Sequence, residues 1–366
     1  LLAGVTLWTV YATAGSVDAA GAWMAVKREL PLALLQWQLG DMGQRDGLSA
    51  PSVLMLSQAP ILLSARGEIS DLRRQAAEEP EDERPAPVTQ PVREEPQPAP
   101  VTAGADNGVT AKTLIPTDPS GYTVCGKVYI RNTTQYTLSN EELLKPFAAE
   151  LTGEAPQILI LHTHATETYQ THPELYYDPE FTARTRNTAL NMCAVGQVMA
   201  DVLNAAGITT LHDTTLHDSP SYTESYARSR ATAQSYLQKY PSIKIVLDVH
   251  RDAIEDSDGT RVKPLCQIDG QDTAQVMLIA GCDNGTTAKL PNWKLNLRFA
   301  AAWQQEMAAQ YPGLARPVLC GYRFYNQDLA AGCLLLEVGG HANTLAEAER
   351  AGELAAKALA AALTNS

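Results

Sequence analysis

The sequence predicts an α/β fold, a mostly parallel sheet with helices on both faces, and three features carry that prediction. Short apolar runs at Ile158-Leu159-Ile160-Leu161, Ile245-Val246-Leu247 and Leu334-Leu335-Leu336 have the length of strands and no polar side, as strands covered on both faces do. Longer segments of helical periodicity lie between them. The clearest is Asn187 to Ala206, with Leu190, Cys193, Val198, Val202 and Leu203 near one face and Gly207 stopping it. Strands alternating with helices pair in parallel through crossovers. Each apolar run also ends at or near a histidine or a glutamate, and ligands gather at the carboxyl ends of strands in such sheets.

Taken in order, the 366 residues carry a formal charge of −13 and are 45% hydrophobic. That charge argues against nucleic acid, whose phosphates demand a basic stripe. Residues 1 to 15 are apolar and uncharged, shorter than the roughly 20 residues a membrane span takes. They read as a truncated membrane anchor, the tail of a cleaved signal peptide, or a buried helix. Mixed apolar stretches continue to about residue 75, where helices near a membrane surface are expected. Residues 76–108 then turn to Pro and Glu, as in Glu-Glu-Pro-Glu-Asp-Glu-Arg-Pro. So few apolar groups cannot offset the entropy of ordering a chain, so this is a semi-stiff, disordered tether. The folded domain is expected at 109–366.

Within it, Tyr122 to Ile130 reads as an edge strand with a bulge at Gly126, and Ser139-Asn140-Glu141-Glu142 as a helix start. The aromatic stretch His172 to Arg186 is a long loop, of the kind that lines or covers a cleft. Ile208 to Leu211 is a strand, Ser219 to Gln238 a helix, Ala274 to Gly281 a strand, Asn292 to Gln310 a helix and Leu345 to Leu363 the closing helix. His212 and His217 fall in a loop and are expected to be solvated. The acidic stretch after His250 reads as a turn. The six cysteines lack Cys-x-x-Cys spacing and should mostly be buried thiols.

Chemistry concentrates at three strand ends. Ile158 to Leu161 runs into His162-Thr163-His164-Ala165-Thr166-Glu167, the second strand into His250-Arg251-Asp252, and the third into Glu337. His164 and Glu167, spaced His-x-x-Glu, can reach one cation from a single turn, and His250 supplies a third ligand. Zn2+ accepts that mixture and leaves a position for water. His162 lies on the same side as His164 if the strand continues, so it is an alternative first ligand. Glu337 is the candidate general base. Arg251 is the candidate to steady an oxyanion, or else pairs with Asp248 or Asp252.

These segments, with Val128-Tyr129-Ile130-Arg131-Asn132-Thr133-Thr134, Asn292-Trp293-Lys294-Leu295-Asn296-Leu297 and Tyr325-Asn326-Gln327-Asp328-Leu329, resemble the stage II sporulation protein P family over about residues 109 to 366. The resemblance implies an amidase/zinc-carboxypeptidase-like fold. It also implies a zinc-dependent N-acetylmuramoyl-L-alanine amidase that cuts peptidoglycan during sporulation, with a second activity on peptide crosslinks in view. It favours the membrane-anchor reading, a single pass with the catalytic domain extracytoplasmic, and it implies the stage II sporulation proteins D and M as partners. A membrane-tethered module that holds glycan strands without cutting them, and a zinc carboxypeptidase, are the competing expectations.

Overall fold

The computed structural model describes residues 108–147, 151, 155–178, 180–286 and 288–364, within the second of two units of the chain, Gln97–Ser366. The expected anchor and tether lie outside the described residues, Gly108 apart. Among those described, no helix is long and apolar enough to cross a membrane. The strands are β1 (Val109–Lys112), β2 (Thr123–Cys125), β3 (Val128–Asn132), β4 (Ile158–Leu161), β5 (Thr210–His212), β6 (Ile245–Asp252), β7 (Arg261–Ile268), β8 (Gln271–Ala274), β9 (Val276–Gly281), β10 (Val318–Gly321) and β11 (Gly332–Gly340). The helices are α1 (Asn140–Leu143), α2 (Met192–Ala205), α3 (Ser225–Lys239), α4 (Trp293–Gln310) and α5 (Leu345–Thr364).

Eight strands form one sheet in the order β2-β3-β10-β9-β11-β6-β4-β5. Only the β2–β3 and β9–β11 pairings are antiparallel, so the sheet is mostly parallel, and β4, β6 and β11 deliver their carboxyl ends to one edge. The side-chain alternation of β4 shows both faces covered. Ile158 and Ile160 join the core shared with α2, α4 and α5, whereas Leu159 and Leu161 join a smaller cluster with Ala233 of α3.

Several boundaries differ from expectation for local reasons. Gly126, at φ 60°, is not a bulge but sits in the two-residue turn that folds β2 back on β3. The helix expected from Asn187 starts at Met192, because the Asn191 side chain accepts from Cys193 N and caps it there, leaving Leu190 49% exposed. The helix expected from Ser219 starts at Ser225, after Glu224 turns the chain through a left-handed conformation at φ 65°.

A second, three-stranded sheet, β1-β7-β8, has no counterpart in the sequence reading. Pro264 and three polar side chains hide β7 from any apolar pattern. The proline is tolerated because it lies at the last register position of the β1 pairing. Lys263 beside it is buried on Glu347 at 2.7 Å, and Glu347 in turn closes a capping box with Thr344 at the start of α5.

Helix α2 approaches the sheet closely at Gly196. A Cβ there would lie 2.4 Å from His162 Nε2 and 2.7 Å from His212 Nε2. Alanine improves helix propensity by about 1 kcal/mol, but forcing atoms into a packed site costs about 1–3 kcal/mol. Gly196→Ala should therefore lower the denaturation midpoint in urea with an unchanged slope. A more stable variant would show that α2 can move away from the sheet at no cost.

Candidate active site

Beyond β4 the chain turns sharply through residues 163–166, and Asp248 of β6 fixes that turn. Asp248 Oδ1 accepts from Thr163 N at 2.8 Å and its Oδ2 from Thr163 Oγ1 at 2.6 Å. The turn separates the two histidines. His162 keeps the parity of Ile158 and Ile160 and lies under α2, with Nδ1 2.8 Å from Val249 O and Nε2 2.9 Å from His212 Nε2. Burial, then His212, pulls its pKa to about 3. Both of its nitrogens are engaged.

His164 emerges on the side of α3. Its ring stacks on Tyr222 at 4.4 Å and meets Tyr226 and His250 edge-on at 5.6 and 5.1 Å. Burial pulls its pKa to about 4, so it is neutral at pH 7, and its buried Nδ1 has no hydrogen-bond partner. Glu167, 9% exposed, stands with Oε1 3.5 Å from Arg184 and Oε2 3.9 Å from His250 Nδ1. Burial works to raise its pKa, but Arg251, His164 and Arg184 outweigh it and hold the carboxyl below its ordinary value. Its Oε2 is also without a hydrogen bond.

Asp248, His250 and Glu337 project from the α3 face of the sheet. His250 and Glu337 are register partners on β6 and β11, which places them side by side. His250 Nε2 makes an ion pair with Asp248 Oδ1 at 2.8 Å. Burial opposes both charges, yet the pair raises the histidine and lowers the aspartate. Glu337 is half-buried, with Oε2 unpartnered. Burial, then the nearby Asp252, raises its pKa well above the ordinary range.

Arg251 spends its donors on backbone, with Nε 2.6 Å from Thr168 O and an Nη 3.0 Å from Ala183 O. It pairs with neither Asp248 nor Asp252 through their carboxylates, and the Asp252 side chain takes Arg316 at 2.9 Å instead. Arg251 thus ties the far end of the 172–186 loop to the segment after Glu167. Arg184, on that loop, brings a paired charge to the site: it contacts Glu167, bonds Asp218 at 2.7 Å and lies 4.9 Å over the Tyr222 ring. No periodicity singles out Arg184 or Asp218 in the sequence; the long aromatic loop was the signal. His217 is buried rather than solvated, with Nδ1 2.8 Å from His162 O and Nε2 2.9 Å from Thr232 Oγ1. Tyr325 and Asn326 take left-handed backbone, φ 41° and 54°, which brings the Tyr325 ring onto Tyr226 at 5.5 Å.

Among the described residues no three His, Cys, Asp or Glu side chains already surround one point at metal-binding distance. The donor chemistry nonetheless fits a cation. Neutral His164 with a bare Nδ1, Glu167 with a bare Oε2, and His250 whose Nδ1 faces Glu167 while Asp248 lies on Nε2 make a His-Glu-His set. A carboxylate on the far nitrogen of a ligating imidazole is the usual supporting arrangement.

The molecule is thus a mixed α/β protein with a His, Glu, His and Glu cluster at the carboxyl edge of its main sheet. The family model for stage II sporulation protein P matches residues 69–360, and the chain belongs to that family. Stage II sporulation protein P of Bacillus subtilis is 30% identical over 218 residues, which are 57% of this chain and 51% of that protein, so the chain spans about half the length of the relative it matches. Among solved structures, an N-acetylmuramoyl-L-alanine amidase from Clostridium difficile 630 is similar over 58% of this chain and 97% of its own, at 13% identity and TM-score 0.34. The CwlD amidase from Clostridioides difficile, solved in complex with the GerS lipoprotein, is similar over 57% and 97%, at 13% identity and TM-score 0.35.

Proposed function

We propose that this chain is a peptidoglycan hydrolase that cleaves the amide between N-acetylmuramic acid and L-alanine in wall remodelling during sporulation, with peptide crosslinks as a second target. The observation that carries this reading is the meeting of His164, Glu167, His250 and Glu337 from three strand ends, with His164 Nδ1, Glu167 Oε2 and Glu337 Oε2 left without partners. Zn2+, when held by His164, Glu167 and His250, supplies an acidified water and polarises the scissile carbonyl. Glu337 sits beside that set without belonging to it. With Oε2 unpartnered, its ionised form can take a proton there and return it to the leaving amine. Arg251 acts as a positioning residue by holding the loop against residue 168, and Arg184 places positive charge beside Glu167. On the same reading the N-terminal region tethers the enzyme to the membrane, and the proteins D and M of the same sporulation stage are its partners.

Turnover on purified sacculi tests the assignment. The expected products are glycan strands freed of stem peptides, with new L-alanine amino termini. Release of single carboxyl-terminal residues would make it a carboxypeptidase, and binding without any new ends would make it a holding module.

A further inference from the structure

Two more side chains at this edge of the sheet are buried with polar atoms unanswered. Gln170 is 3% exposed, and neither Nε2 nor Oε1 makes a hydrogen bond of good geometry, although its carboxamide lies against the Tyr177 hydroxyl; His341 is 6% exposed and its Nε2 has no partner. Polar atoms buried without a good partner are costly, so folded chains seldom keep them without a use. The backbone brings the two side chains to one place: Gln170 N donates to Asn343 O at 2.8 Å, just past the end of β11. Tyr177 of the 172–186 loop closes over them. Its ring meets His341 edge-on at 5.5 Å and is held from the other side by Arg261, 3.9 Å over its face. Burial, then Arg251 and Arg261, pulls the His341 pKa to about 3, so its imidazole is neutral. Gln170 follows Glu167 by three residues, which keeps this cluster near the candidate active site.

We propose that Gln170 and His341, closed over by Tyr177, hold a backbone peptide group of the substrate beyond the scissile amide. A carboxamide offers a donor and an acceptor in one plane, the complement of a peptide C=O and N–H. A neutral imidazole adds one further donor or acceptor. The rings on the His164 side, Tyr222, Tyr226 and Tyr325, already stack on His164 and on one another, so that side has ring edges left for the sugar. The assignment deepens the hydrolase reading and rests on it. It also gives the substrate a direction across the site.

The test compares two soluble muropeptides, one carrying L-alanine alone and one carrying a full stem peptide, with the wild type, Gln170→Leu and His341→Phe. Losing a hydrogen bond of this kind is expected to raise KM for the full stem peptide about tenfold, with a clearly smaller rise for the L-alanine form. The melting temperature should stay near level in Gln170→Leu, because the buried carboxamide that is removed has only the Tyr177 hydroxyl against it. A lowered melting temperature with unmoved KM would mean that the pair serves the fold through a buried water, and the subsite would be withdrawn. Equal KM changes on both muropeptides would withdraw it as well. Should Gln170→Leu fail to fold, His341→Phe, which keeps a ring against Tyr177, decides alone. A wild type that neither binds nor cuts either muropeptide would remove the hydrolase reading and the subsite together, whereas an active wild type with unaltered variants removes the subsite only.

Discussion

Glu337→Gln is expected to lower turnover at least about 10²-fold while leaving the fold and the zinc content intact, since general acid–base groups contribute about 10²- to 10⁴-fold. The reason lies in where β11 puts the side chain. Glu337 is the register partner of His250, its Oε2 has no hydrogen-bond partner, and burial keeps a proton favourable there. Glutamine has nearly the same shape and removes the proton-carrying function alone. Like the protonated acid that burial favours there, glutamine is neutral, so the melting temperature should not fall. A structural role would show the reverse pattern, with lowered melting and near-normal turnover at low temperature. Zinc content, melting and turnover measured on one preparation separate the two, and a fully active Glu337→Gln protein would remove this residue from the mechanism.

The strands that present the cluster were legible because burial on both faces leaves a plain mark, an apolar run cut off by a polar residue. Ile158 to Leu161 and Ile245 to Val249 show it, and so does the run into Glu337. What lies between the strands was not legible. The choice between His162 and His164 depended on whether the strand continued, and only the turn held by Asp248 decides which face each imidazole meets. Asp248 itself sits inside an apolar run, and nothing in the pattern says that its carboxylate serves a turn on one side and a histidine on the other. Arg184, Gln170 and His341 act through a loop whose course is set by long-range contacts such as Arg251 to Ala183 O and Arg261 on Tyr177. Sequence periodicity carries no information about these. The small sheet was hidden for the same reason, since Lys263 is made burial-tolerant by Glu347, distant in sequence.

The second large effect is expected at His250, and it has two parts that can be measured separately. Wild-type protein purified without chelators should carry close to one zinc per chain, and His250→Ala should carry little and show no turnover above background. The same change leaves Asp248 buried, 6% exposed, without the imidazole that now stands 2.8 Å from it. Breaking one partner of a buried pair costs about 3–5 kcal/mol, so a drop in stability is also expected and could by itself explain lost activity. Asp248→Asn with His250→Ala resolves this, because the neutral amide can still accept from Thr163 while needing no counter-charge. The double variant should recover much of the stability, by more than the two single changes would give if additive, yet remain without zinc and without turnover. A stable double variant that still holds a full equivalent of zinc would take His250 out of the ligand set, and would reassign it as the counter-ion that keeps Asp248 on the turn between His162 and His164.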